Sequence, residues 1–377
     1  MSSPSRRAWN EAYAANGAWG HDRHGVAHEL RKNTEPNGGA SLLTTASDYA
    51  VFLCALLNSR GLSKETIEQM TSPQVQVTKS RETADLFENV FWGWGVQPGE
   101  TGYGFWHWGD NGDLRAFTLT YKDRREGFVY FANSNNGLAI AGAVTALVFP
   151  DRQYALDWLD YEKYDDPKRL ARISLETTFM EEGPEAGLKK LQETRKAFPE
   201  LAKEEPLTEM ARALGEIGKQ EEAIAVLKFC LESFPESVDA YLSLGLAYME
   251  TGQNQAAVES IEAALKIDKE NALAARGLEW AKDALKAEKN PVVLSVAEME
   301  RIAGDYGTRH VTLREGRLYY QRGGRPEYEL FPLSRDTFAL EGYGQFRIRF
   351  VSDESGRATK LVGLYIQGNT DESPRDR

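Results

Sequence analysis

The chain has 377 residues, 41% hydrophobic and 27% charged, with a formal net charge of −12. That length exceeds one ordinary core and predicts two or three domains, and no apolar run reaches the roughly 18–20 residues needed to span a bilayer. Residues 151–290 hold 19 basic and 29 acidic side chains, against 13 and 15 in residues 1–150 and 13 of each in 291–377; the acidity therefore belongs to one segment, reads as a solvated helical surface, and argues against a nucleic-acid partner.

The chain opens with Met1-Ser-Ser-Pro-Ser-Arg-Arg7, basic but with no apolar stretch behind it, so no signal peptide is expected. His21, His24 and His28 stand at spacings of 3 and 4, which on a helix would share a face and suit a metal, but Gly20 and Gly25 argue against a helix there. No metal and no cofactor is expected. Thr45-Ala-Ser-Asp48 resembles a capping box and opens a helix with Tyr49, Phe52, Leu53, Leu56 and Leu57 on one face. Ser63 caps a shorter helix through Met70. Aromatic and β-branched runs at 90–96, 105–108, 114–121 and 127–132, broken by Gly, Pro, Asp and Asn, predict an antiparallel meander. Leu138 to Phe149, small and apolar, predicts a helix lying against that sheet. Cys54 and Cys230 each sit in an apolar helical pattern, which predicts buried free thiols.

Residues 168–287 carry an internal repeat. Tyr241, Leu244, Gly245, Tyr248, Gly252, Ala257 and Ala264 recur thirty-four residues earlier as Leu207, Met210, Ala211, Leu214, Gly218, Ala223 and Cys230, and a weaker copy with Gly183 and Gly187 precedes them. The pattern resembles the tetratricopeptide repeat, in which small residues sit where helices cross and large ones fill the gaps. Ala272 to Ala287 reads as the capping helix, and the module is expected to fold on its own. Residues 291–377 return to short strands, among them Val311–Leu313, Arg317–Tyr320, Phe346–Val351 and Lys360–Ile366, which suggests a small barrel or sandwich.

The sharpest motif is Phe105-Trp-His107-Trp-Gly109-Asp-Asn-Gly112, followed by Phe117 and by Ala132-Asn-Ser-Asn-Asn-Gly137, with Gly38-Gly39-Ala40-Ser-Leu-Leu-Thr-Thr45-Ala-Ser-Asp48 upstream. In order and spacing it resembles the C-terminal part of the β-lactamase-related serine hydrolases, which include class C β-lactamases, penicillin-binding proteins and related esterases and peptidases. The resemblance covers residues 15–150. It implies that His107-Trp108-Gly109 lines the active-site cleft where other members have Lys-Thr-Gly, with His107 as the catalytic candidate, and that the Asp110 N–H is one oxyanion donor. Trp108, Gly109 and Asp110 form the substrate and oxyanion side. Gly109 would let substrate approach the backbone, and His107 could bind a carboxylate or relay a proton.

The family attacks with the Ser of a Ser-x-x-Lys, assisted by a Tyr-x-Asn or similar motif. No serine here is followed three residues later by Lys, and no Tyr-x-Asn occurs. The expectation is a multidomain α+β chain: residues 1–150 the C-terminal portion of a β-lactamase-like α/β sheet domain, 151–167 a linker, 168–290 an α-helical solenoid of tetratricopeptide type with its cap, and 291–377 a small antiparallel β domain. The implied activity is acyl-serine hydrolysis of a β-lactam, ester or D-peptide in an intact parent, these residues being inactive alone. The implied partners are a missing N-terminal hydrolase half, a peptide or protein at the repeat groove, and a second copy of the chain. A non-catalytic scaffold is the alternative. The parent family is commonly exported, which leaves the compartment open.

Overall fold

The structure, a computed structural model, describes residues 14, 16–29, 32, 37, 39–79 and 86–376. Gly38 of the upstream motif and the Met1–Arg7 stretch lie outside the described residues. The chain divides into two compact units, residues 1–173 and 174–377.

The first unit begins with a hairpin of β1 (Gly20–His21) and β2 (Ala27–His28). Helix α1 (Ala46–Leu57) follows, its N-cap Thr45 accepting from the Asp48 N–H, and then α2 (Lys64–Met70), capped by Ser63. Both caps stand where the sequence predicts them. Six strands come next: β3 (Val75–Thr78), β4 (Leu86–Trp92), β5 (Gly95–Pro98), β6 (Tyr103–Asp110), β7 (Arg115–Tyr121) and β8 (Glu126–Ala132). They pair antiparallel in simple chain order, so among the described residues β8 is an edge strand. The run expected at 90–96 is split into β4 and β5 by a tight turn at Gly93-Trp94. Gly95 is required for that hairpin to meet β6: a Cβ there would lie 2.8 Å from the Trp106 carbonyl oxygen.

Alternation along β6 divides the apolar side chains between two cores. Phe105 joins Leu53, Leu56 and Ile67 beneath α1 and α2. Trp106 joins Val90, Phe117, Leu119, Leu138 and Ala141 on the opposite face, beneath α3 (Ala141–Val148). That second face also takes α4 (Tyr154–Leu159), in the stretch expected to be a linker. Ala155 is fully buried, its N–H donates to Gln97 Oε1 at 2.8 Å, and Trp158 Nε1 donates to the Thr78 carbonyl at 3.1 Å. Residues 151–159 are thus part of the sheet unit, which runs on to Ile173. One further expectation fails: Cys54 is exposed, and only Cys230 is buried.

Helix α5 (Pro167–Glu182) carries the chain into the second unit, followed by α6 (Pro184–Ala197), α7 (Glu204–Glu216), α8 (Gln220–Ser233), α9 (Val238–Glu250), α10 (Asn254–Ile267) and α11 (Ala272–Lys289). Helices α7/α8 and α9/α10 occupy the two frames of the repeat. Gly218 (φ +80°) and Gly252 (φ +70°) close their turns in the left-handed region. At the α9–α10 crossing a Cβ on Gly245 would lie 2.3 Å from Ile261 Cγ1, which explains the small residue at that place in the repeat.

A capping box at Ser295 and Glu298 starts α12 (Val296–Ile302), and eight strands complete the unit. They are β9 (Gly304–Tyr306), β10 (Arg309–Arg314), β11 (Arg317–Arg322), β12 (Tyr328–Pro332), β13 (Thr337–Leu340), β14 (Tyr343–Ser352), β15 (Ala358–Tyr365) and β16 (Thr370–Pro374). Each pairs with its neighbour in chain order, and the ends approach closure where the Asp376 N–H donates to the Asp305 carbonyl at 2.9 Å. The β domain is therefore a nearly closed up-and-down barrel, filled by Tyr306, Phe338, Ile348, Phe350 and Leu361.

The barrel is seated on the last helices of the array. Arg347 of β14 lies 4.5 Å over the Trp280 ring, donates to the Trp280 carbonyl and pairs with Asp283 at 2.9 Å, while Ile366 enters the helical core. The isolated helical module would lose this cover. A fragment of residues 174–377 is expected to melt in one cooperative transition by calorimetry. Arg347→Ala, which removes a buried cation–π and hydrogen-bonded group, is expected to cost about 2 kcal/mol and lower the midpoint by roughly 4–8 °C. Two separate transitions would show the barrel and repeat to be independent.

Candidate functional site

Strand β6 outruns β5. Their last paired residues are Val96 and Phe105, whereas β6 continues beside β7 through His107–Thr118, Trp108–Phe117, Gly109–Ala116 and Asp110–Arg115. Among the described residues, the outer edge of His107–Asp110 thus faces no strand, while β7 pairs with it along the other side. Strand alternation then assigns the side chains. His107 is exposed on the face of Phe105 and α1, its ring 6.3 Å from that of Trp94 and edge-on to it. Trp108 is half-buried on the other face, in a cluster with Trp106 and Trp158 at 5.6 and 5.8 Å.

The His107 ring is oriented by its own strand. Nδ1 lies 2.7 Å from the Trp108 carbonyl oxygen. A carbonyl only accepts, so in the neutral ring the proton sits on Nδ1 and the Nε2 lone pair is presented outward. In that state His107 accepts a proton; a donor to a carboxylate requires the imidazolium.

Gly109 differs from the other glycines of this sheet. A Cβ there would lie 3.4 Å from Ala116 Cβ, an ordinary contact, whereas Gly95 and Gly104 are crowded by neighbours below 3 Å. Folding does not demand glycine at 109. Asp110 is tied back by its side chain: it pairs with Arg115 and accepts the Tyr161 hydroxyl at 2.6 Å. Tyr161 lies in the stretch read from sequence as a linker, and no motif pointed to it. Trp94, whose buried indole N–H has no hydrogen-bond partner, was likewise read only as part of a strand.

The three histidines do not come together. His21 Nδ1 lies 2.9 Å from the Asn133 carbonyl and His28 Nδ1 lies 2.6 Å from Asp113 Oδ2, on a hairpin turned by Gly25 (φ +85°).

Residues 3–149 match the beta-lactamase family model. The stretch includes β6, its free edge and both helical faces of the β-lactamase-like sheet. Residues 208–272 match a tetratricopeptide repeat model, which covers α8, α9 and α10 and most of α7. A β-lactamase-family domain and a tetratricopeptide repeat are both present, followed by an all-β barrel. No curated protein matches the chain. A solved structure titled "MamA MSR-1 C2" and that of a MamA point mutant align at 16% identity over 42% of this chain and over 87% and 88% of theirs, with a TM-score of 0.26 for each. Among the described residues, no helix is long and apolar enough to cross a membrane.

The two cysteines give a simple check on the fold. Burial pushes the Cys230 thiol up to about 11, whereas Cys54 is exposed on α1. One thiol is expected to react rapidly with iodoacetamide in the native protein, and the second only on unfolding. Mass spectrometry should place the fast label on Cys54; early labelling of Cys230 would contradict the buried α8 face.

Proposed function

We propose that the β-lactamase-like unit is one wall of an acyl-serine hydrolase cleft that acts on a β-lactam, an ester or a D-amino-acid peptide. The observation that carries this reading is the free edge of β6 at His107–Asp110, accessible and bordered by a glycine that folding does not require. In this reading the Asp110 backbone N–H polarises the scissile carbonyl, Gly109 leaves room for the acyl chain, and Trp108 stiffens the strand through its cluster. His107 accepts a proton at Nε2 or, when protonated, binds a substrate carboxylate. The serine nucleophile and its Lys and Tyr come from outside these 377 residues, whether on a longer chain or on a separate one.

The surface such a partner would cover is apolar. Phe131 is exposed on the edge strand β8, Leu147 and Val148 on α3, and Val51 and Phe52 on α1. An open strand edge flanked by exposed apolar side chains invites association. The N-terminal half of the hydrolase suits it; a second copy of the chain is the default occupant when that half is absent. Rescue of acyl-enzyme formation by the missing half is the decisive experiment.

A second reading, a scaffold that binds a peptide or protein chain, rests on the paired helices α7–α10 and their repeat match. Function in cells discriminates. A chain carrying His107→Ala and Gly109→Val keeps its role under the scaffold reading and loses it under the hydrolase reading.

A further inference from the structure

At the end of the first unit's sheet, on the side that carries α3 and α4, a cavity of about 330 Å³ is lined by Arg23, Arg115, Arg169 and Arg172. Two carboxylates, Asp160 and Glu162, share the lining, so four guanidinium groups face two acids. Asp110, just outside, neutralises one more through its pair with Arg115. The lining thus holds more arginines than carboxylates in a chain whose net charge is −12. It is also built rather than loose. Arg169 is held by the Tyr164 carbonyl at 3.1 Å and by Asn136 Oδ1 at 2.7 Å, and Arg172 is paired with Glu162.

Arg115 is the informative member. Its side chain is nine-tenths buried, Asp110 occupies one end of the guanidinium, and Nε has no hydrogen-bond partner. A buried cation with an unmet donor is costly unless an anion meets it, and the planar fork of Arg matches oxyanions in particular. Burial correspondingly pushes the Arg115 guanidinium below its ordinary value. The volume lies at the small end of the ~300–1,000 Å³ range of ligand pockets, enough for an oxyanion on a compact body.

We propose that this cavity binds a small oxyanionic molecule, of phosphoryl or carboxylate type, through Arg115, Arg169 and Arg172. The site adjoins the His107–Asp110 edge through the Arg115–Asp110 pair, but it needs no nucleophile, so it stands whether or not the hydrolase reading does.

The test is titration calorimetry of the full chain with inorganic phosphate and with citrate, at constant ionic strength set by sodium chloride. Saturable one-to-one binding of either anion, with a raised melting temperature that chloride does not reproduce, is the expected result. Phosphate alone identifies a phosphoryl ligand, and citrate alone a carboxylate. Arg115→Gln is expected to abolish the binding and Arg172→Gln to weaken it about tenfold. Should Arg115→Gln fail to fold, Arg172→Gln decides the matter. Binding no stronger than chloride, or binding indifferent to Arg172→Gln, overturns the proposal.

Discussion

Mixed with a polypeptide carrying Ser-x-x-Lys and Tyr-x-Asn from a β-lactamase-family N-terminal half, this chain is expected to support labelling by a fluorescent penicillin or a fluorophosphonate. Alone it is expected to show none, because a strand edge and an imidazole without a nucleophile stabilise an oxyanion that never forms. The labelled serine should lie on the added polypeptide. In the reconstituted pair, His107→Ala is expected to slow labelling about 100-fold, the low end of what general acid–base groups contribute. Gly109→Val should slow it without shifting the melt, since the fold tolerates a Cβ there. Labelling of any serine within these 377 residues by the chain alone would sink the reading. A melt lowered as much by Gly109→Val as by a core substitution would show that glycine to be structural.

The second large effect concerns the array. Gly245→Val places branched carbon atoms where Ile261 and the Ala257 carbonyl already stand, at 2.3 and 3.3 Å from an added Cβ. Helices α9 and α10 would have to separate along their crossing, at a cost of about 3 kcal/mol. Denaturant titration followed by circular dichroism should show a lowered midpoint for the second unit. The melt of the first unit should not move. A wild-type midpoint would mean that the crossing is looser than the structure shows.

These two sites differ in how far the sequence reveals them. Gly245 was legible because the repeat prints its geometry twice: a small residue recurs in register, Ala211 standing there in the preceding frame, and periodicity carries the inference. The helix caps at Thr45 and Ser63 were legible for a similar reason, being local hydrogen-bond chemistry. The His107 edge was legible only as a family motif; nothing in local spacing says that β5 stops short of it, since that depends on the lengths of two strands paired across a hairpin. At the histidines 21, 24 and 28 the glycines at 20 and 25 already spoke against a helix, and spacings of 3 and 4 carry no meaning on the hairpin that Gly25 turns. Helix α4 was missed because six residues beside an acidic stretch give too short a period to recognise, and only the sheet beneath explains why Ala155 and Trp158 are apolar. Tyr161 is a tertiary partner of Asp110, fifty-one residues away, and no pattern along the chain marks it. Cys54 was expected to be buried because α1 is apolar on more than one side. Leu53 and Leu56 are covered, while Val51 and Phe52 remain exposed beside it.

The seating of the barrel on α11 has a consequence for how this chain can diversify. Solenoids ordinarily change length by duplicating a unit at an end, because each new unit needs only its neighbour. Here the final helix already spends its outer surface on Arg347 and Ile366. A copy added after α11 would have to reproduce Trp280 and Asp283 on its own last helix or lose the barrel. Growth of the array is therefore open only upstream of α9, and any length variants should conserve α9 to α11 together with the barrel as a single inherited block.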